Sequence, residues 1–476
     1  MTKLALAALP LLPLLLAGCS DLGAIGNRRG SALPGHSRPV LEHDWPHPDE
    51  LSFDDGGFRA TDPASALFTS PAGVRAYIIN DASDPLVRIT AALPLGRNTE
   101  DGPGAADAAA DVLRRTLADR LGGDFVGDVA VSGQAGVTTL TVETFAEDWQ
   151  RVLTAVLATL REPQLDDVAA ARTGNDATDG AAGAIARLTR LTARYPGAPP
   201  EPGSAVDAAA VRRTALRALD PHAVVIGVAG GLARADAEAA IVAATAGWTG
   251  IAAAQPSSRA PTIDATLLPA EALHTVDVPG ELSWVVVGQT MPAIAPQDEA
   301  AVAALEEIIN IRLNIVTREM RGLTNRAMLV LPEPLDGAGL LYVRTSSRAE
   351  SVAPLIRLAV EELTRIRGTA GTPTAEELDQ VKGGLVRGLW QRGLDGPRAT
   401  AATYAMETAR RGSLDALLGW PAAVNSVTAA DVTAAAIMYI DPAKLTAVVV
   451  GPIDAVRAAR HPRWPAGLED MPALLR

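Results

Sequence analysis

The 476-residue chain reads as an α+β protein made of two tandem, duplicated α/β sandwich domains, and three internal echoes in its sequence predict this. Asp220-Pro221 precede an apolar strand that ends at Gly230, and Asp441-Pro442 precede another that ends at Gly451, with the same ten-residue offset from Asp to Gly. The strand-helix unit from Leu140 to Leu160 has a counterpart from Leu341 to Leu363. The helix start Leu165-Asp166 has one at Leu378-Asp379. Separations of roughly 200 to 220 residues, kept in the same order, mark a duplication rather than chance matches. The length agrees, since a chain of this size exceeds one ordinary core and suits two domains of about 200 residues.

In chain order, Lys3 is followed by an apolar run from Leu4 to Leu15 and then by Leu16-Ala17-Gly18-Cys19. That is the pattern of a cleaved secretory leader, residues 1–18, of the bacterial lipoprotein type. The run is shorter than the roughly 20 residues that span a bilayer, and Pro10 and Pro13 interrupt it. Cys19, the only cysteine, is the expected lipidation site and would hold the mature chain to a membrane through its acyl chains. An ordinary leader with an incidental cysteine is the alternative. Ser20 rather than Asp follows Cys19, so a lipoprotein of this class is expected at the periplasmic face of the outer membrane.

Residues 19–65 are rich in Gly, Pro, Asp and Ser and predict an extended tether. His43 and His47 flank Asp44, but Pro46 prevents a regular helix from presenting them together, and a solvated tether is the simpler reading. The first domain, residues 66–254, should contain strands at 74–79, 87–93, 137–144 and 223–228. Helices are expected at 105–121, 147–161 and 235–246. Val152, Leu153, Val156, Leu157 and Leu160 recur at helical spacing and predict the buried face of the second helix. Residues 255–268 begin with a Pro- and Ser-containing stretch and read as a linker to the second domain, 269–460, with a tail at 461–476.

Composition excludes several functions. A net charge of −13 leaves no basic excess for nucleic acid. One cysteine rules out an intramolecular disulfide. The six histidines stand in no nucleophile-base motif, and Gly227 to Gly231 lacks the Lys and the glycine spacing of a phosphate loop.

From Leu67 to about Ala459 the chain resembles the insulinase-like zinc peptidases, the family of pitrilysin and the mitochondrial processing peptidase, known as M16. The resemblance is carried by Leu93-Pro-Leu-Gly96, Glu100-Asp-Gly102, Leu121-Gly-Gly123 and Glu147-Asp-Trp149 in the first half. In the second half it is carried by Val285-Val-Val-Gly288, Arg312-Leu313, Arg318-Glu319, Gly322-Leu-Thr324, Thr374-Ala-Glu-Glu-Leu378 and Val448-Val-Val-Gly451. It implies the M16 fold and a zinc helix carrying His-x-x-Glu-His, in which i and i+4 ligands share one helical face and the Glu is the general base. Aligned from Gly104, those positions hold Asp107, Ala110 and Asp111. Two helical carboxylates favour weak hard-cation contact over tight zinc, and Ala110 offers no base. The simpler reading of Asp107 and Asp111 is a solvated helix face. Arg172 to Asp176, in the region of the third ligand, supplies no convincing Glu.

The family's second element is an Arg followed seven residues later by a Tyr that contact the substrate and the tetrahedral intermediate. Here Arg318 stands at the Arg position and Asn325 at the Tyr position. The plain alternative for Arg318 is a structural salt bridge. The resemblance therefore implies no catalytic residue, no bound metal and no cofactor in this chain. It implies a lipoprotein subunit that pairs with a zinc-competent M16 paralogue around unfolded or short peptides, with zinc in that partner alone. A peptide-binding or scaffolding lipoprotein is the alternative, and a hydrolase using Asp107 and Asp111 with a metal is a third reading.

Overall fold

The computed structural model describes residues 61–96, 99–102, 104–133, 136–165, 180–192, 205–250, 272–332 and 338–475. The leader, Cys19, His43, His47, the interval Arg172 to Asp176 and the expected linker lie outside these residues. The first half contains α1 (Pro63–Ala66), β1 (Leu67–Thr69), β2 (Arg75–Asn80), β3 (Leu86–Leu93), α2 (Ala105–Leu121) and β4 (Gly127–Gly133). It continues with β5 (Thr138–Phe145), α3 (Trp149–Arg161), α4 (Gly180–Thr192), α5 (Ala208–Ala218), β6 (Val225–Gly230) and α6 (Arg234–Thr245). The second half contains β7 (Leu273–Asp277), β8 (Ser283–Met291), α7 (Glu299–Asn314), β9 (Ala327–Val330), β10 (Gly339–Ser347), α8 (Val352–Arg365) and α9 (Ala375–Gly393). It ends with α10 (Pro397–Arg411), α11 (Asp415–Ser426), α12 (Ala429–Tyr439), β11 (Thr446–Gly451), α13 (Ile453–Ala458) and α14 (Met471–Leu474).

The strand order of the first sheet is β1-β2-β6-β3-β5-β4 and that of the second is β7-β11-β8-β10-β9. With β1 set aside, the two orders are the same. In each sheet the last strand in sequence runs parallel to the first and antiparallel to the second. The domain is therefore duplicated in topology as well as in sequence.

The Asp-to-Gly echo has a local cause in each sheet. β6 and β11 are central strands buried at every residue, which explains their continuous apolar runs. Gly230 closes β6 at φ 132°, where a side-chain carbon would lie 2.0 Å from the Leu86 carbonyl oxygen. On the outer side of β6, α2, α3, α5 and α6 bury one continuous core that includes Val152, Leu153, Val156, Leu157 and Leu160. The equivalent core of the second half is built around α7, α8 and α12.

The opposite face of each sheet is covered by a helix from the other half. α10 lies on β6, β3 and β2, with Ala401, Tyr404 and Ala405 packed against Tyr77, Ile79 and Val225. Reciprocally, α4 lies on β8 and β11, with Ala184 and Leu188 packed against Val286, Val448 and Val450. Gly227 permits the first crossing, since a side-chain carbon there would fall 2.4 Å from the Ala401 carbonyl oxygen. Polar ties fix the same helix. Arg398 bridges Asp84 at 2.9 Å and Glu143 at 3.0 Å, and the Tyr404 hydroxyl donates to the Thr61 carbonyl at 2.7 Å. Burial drives the Tyr404 phenol up to about 12, so it remains a donor.

Candidate functional site

The chain enters α2 through a loop whose quoted motif, Glu100-Asp-Gly102, is structural. The Glu100 carboxylate accepts the amides of Gly104 at 3.2 Å and Ala106 at 3.0 Å, satisfying donors that a helix start leaves open. Asp101 pairs with Arg217 of α5 at 2.9 Å, and its amide donates to Thr214 Oγ1 at 3.0 Å. Arg217 also reaches the Thr99 carbonyl at 2.9 Å. This lock aims the first turn of α2 and fixes its rotation against α5.

That rotation decides what the three motif positions present. Ala105, Ala106, Ala108, Ala109 and Ala110 are buried, and Ala110 is 8% exposed as part of the first core. At the position where the resemblance would place a general base there is a packed methyl group. Asp107 and Asp111 lie one turn apart on the exposed side of the helix. Asp111 is engaged by its own helix, 2.9 Å from Arg114 and 3.1 Å from Arg115. A cation would have to compete with two guanidiniums for it. Among the described residues no group of three or more His, Cys, Asp or Glu side chains converges to hold a metal ion.

The second element follows α7. That helix, equivalent to α2, does not end at Asn314 but continues through a π-helical turn, Ile315–Glu319, a feature the sequence reading did not anticipate. Such a turn inserts a residue into the helical ladder and is recurrent at functional positions. Arg318 lies on it, exposed, and among the described residues its guanidinium makes no hydrogen bond or ion pair. The Gly322 amide donates to the Arg318 carbonyl at 2.8 Å, and the Leu323 amide to the Thr317 carbonyl at 2.8 Å, which folds the chain back toward β9. Thr324 anchors the loop on β10, with its hydroxyl 2.8 Å from Thr345 Oγ1 and 2.8 Å from the Ser346 carbonyl. Asn325 is exposed in the same loop.

Two of these second-half pieces meet at a partly buried ion pair, Arg312 buried and Glu377 half-buried. Arg312 of α7 donates from Nε and Nη2 to the two carboxylate oxygens of Glu377, each at 2.8 Å, and from Nη1 to the Gly371 carbonyl at 2.8 Å. Glu377 also accepts the Thr374 amide at 2.9 Å in the capping box of α9. The Arg312 fork is the chief reason its carboxyl is held down at about 2. These motifs hold the α7–α9 packing that supports the Arg318 turn. Their spacing in sequence, 65 residues, gives no hint that they touch.

The site and fold thus define a duplicated α+β body in which α2 carries Asp107, Ala110 and Asp111 at the positions where the resemblance would place a zinc motif. Residues 205–385 match the family described as the peptidase M16 inactive domain, and the body has an α+β fold of the M16 type. Among solved structures it is similar to the peptidase M16 inactive domain from Pseudomonas fluorescens, with 17% identity, a TM-score of 0.65, and coverage of 85% of this chain and 100% of that one. It is similar to the first half of the periplasmic protease PqqL from Escherichia coli, with 15% identity, a TM-score of 0.61, and coverage of 85% and 96%. It is also similar to a chain of complex III2 from Candida albicans, with 11% identity, a TM-score of 0.61, and coverage of 82% and 96%. No curated protein matches the sequence.

Proposed function

We propose that this chain is a non-catalytic M16-like lipoprotein subunit that pairs with a zinc-competent paralogue and forms part of a peptide-processing chamber. The observation that carries the reading is the contrast between its two elements. Ala110 stands packed in the core where a base would act, while Arg318 is exposed on its π-helical turn and not consumed by an ion pair among the described residues. A guanidinium so placed suits a peptide carbonyl or a developing oxyanion. Zinc and the water-activating Glu belong to the partner, and short or unfolded peptides are the substrates. Lipidation at Cys19 would keep the subunit at the periplasmic face of the outer membrane, a setting that agrees with the periplasmic protease among its structural relatives.

Reconstitution tests the pairing. The chain alone should leave unstructured peptides intact, and adding a zinc-competent M16 paralogue from the same cell should create or raise cleavage. Arg318→Ala should then lower turnover by the equivalent of about 2.7–4 kcal/mol, with assembly unchanged in sedimentation. An unchanged turnover would remove Arg318 from the reaction. A scaffolding lipoprotein is the second reading, favoured by Asn325 at the Tyr position, which leaves the Arg element half complete. The membrane-complex chain among the structural relatives suits it as well.

A further inference from the structure

Away from α2 and Arg318, one cleft of about 490 Å3 lies on the edge of the second sheet. β7 is the terminal strand there among the described residues, and different helices cover the two faces beside it. α4 occupies one face, against Val286, Val448 and Val450. α13 occupies the other, with Ile453 and Val456 in the core that holds Val285, Val287 and Val449. Arg187 of α4 and Arg457 of α13 therefore reach the cleft from opposite faces, and Leu273 and Thr275 of β7 lie between them.

Both guanidiniums are exposed, and among the described residues neither side chain has a hydrogen-bond or ion-pair partner. Glu469, the carboxylate in the lining, is held by Arg460 and so does not neutralise them. In a chain of net charge −13, two unneutralised arginines converging on one concavity are a local reversal of sign. The strand adds an uncharged donor. Ala272 and Val278 bond to β11 through the Ala447 amide and the Gly451 carbonyl, so by alternation the Thr275 amide turns away from β11, toward the outer side of the strand.

We propose that this cleft binds a phosphoryl group. Two guanidinium forks match its oxygens bidentately. A phosphate monoester carries about −1.5 to −2 near neutral pH and balances both arginines, whereas a carboxylate balances only one. Leu273 and Leu468 give an attached apolar body somewhere to lie. The group could be carried by a soluble ligand or by a lipid headgroup, and the probes below separate the two.

Full-length protein in dodecyl maltoside is titrated calorimetrically with inorganic phosphate, with dihexanoyl phosphatidic acid and with acetate at constant ionic strength. Saturable phosphate binding at least tenfold tighter than acetate is expected. Arg187→Gln and Arg457→Gln should each weaken it about tenfold, with Arg→Lys recovering part of the loss. Arginine-dependent binding of phosphatidic acid tighter than that of phosphate assigns the group to a headgroup, and the reverse order assigns it to a soluble ligand. Either order supports the site. Acetate binding as tightly as phosphate, an absence of saturation, or affinity unchanged in both Gln variants would overturn it. Thermal melts matching the parent protein establish that these exposed substitutions leave the fold intact.

Discussion

Glu377 connects a single ionisation to the architecture behind the Arg318 turn. Its carboxyl titrates at about 2 in the folded protein against an ordinary 4.5, chiefly because of the Arg312 fork. The folded value is the lower one, so the stabilisation is fully present above pH 4.5 and is lost as pH falls through the folded value near 2. The shift corresponds to at most about 3.4 kcal/mol, and solvent screening of the partly exposed carboxylate makes the actual contribution smaller. Glu377→Gln should therefore lower stability to urea at neutral pH, and the gap between variant and parent should close between about pH 4.5 and 2. A gap independent of pH would mean that the fork contributes by packing alone. At this scale the sequence was informative about Asp107, Ala110 and Asp111, because helix periodicity fixes which residues share a face once the start of α2 is known. It pointed to Arg318 only through the family resemblance and was silent about the backbone turn that presents it. The π-helical turn that carries it depends on how α7 meets β9 and β10, and Arg318 carries no local mark of it.

The elements were mostly visible because each has a strong local pattern. α2 spans the expected residues, and the apolar face of α3 is buried as its spacing predicts. The strand expected at 223–228 is Val225–Gly230 instead, since the turn at Asp220 uses Ala223 and Val224, whose amides both donate to the Asp220 carbonyl. β4, Gly-Asp-Val-Ala-Val-Ser-Gly, was missed. It is an edge strand exposed along most of its length, and its short alternation between glycines is a weak signal. The exchange of α4 and α10 was equally hidden, because an amphipathic helix does not state which sheet it will cover. Gly227 tests that exchange directly. Gly227→Ala should destabilise by about 1–3 kcal/mol or more through collision with the Ala401 carbonyl. Gly419→Ala, in α11 with no atom within 4 Å of the added carbon, should be neutral or stabilising by up to about 1 kcal/mol. Urea denaturation of both variants decides it. Equal effects would mean that the crossing is not tight.

For the whole molecule, reciprocal exchange makes the two halves one cooperative body. Each sheet lacks the cover of one face without a helix from the other half, so calorimetry of the full chain should show one transition, and two separated transitions would show that the halves fold independently. The proposed attachment is tested separately. Fatty-acid labelling should tag the protein through Cys19, and Cys19→Ser should abolish the label and release the chain from membranes, while retention would reveal another anchor. The duplication was legible in the sequence because its paired Asp-to-Gly runs mark the central strands of both sheets. The join between the halves was not, since it is made by tertiary contacts on separate helices. The central proposal is that this M16-type body has no zinc chemistry of its own, and the zinc content of the purified full-length protein after dialysis tests it most directly. Elemental analysis should find well under one equivalent, because Asp111 is engaged by Arg114 and Arg115 and Ala110 faces the core. One equivalent of zinc, retained by the parent and lost in the Asp107→Ala/Asp111→Ala double variant, would contradict it.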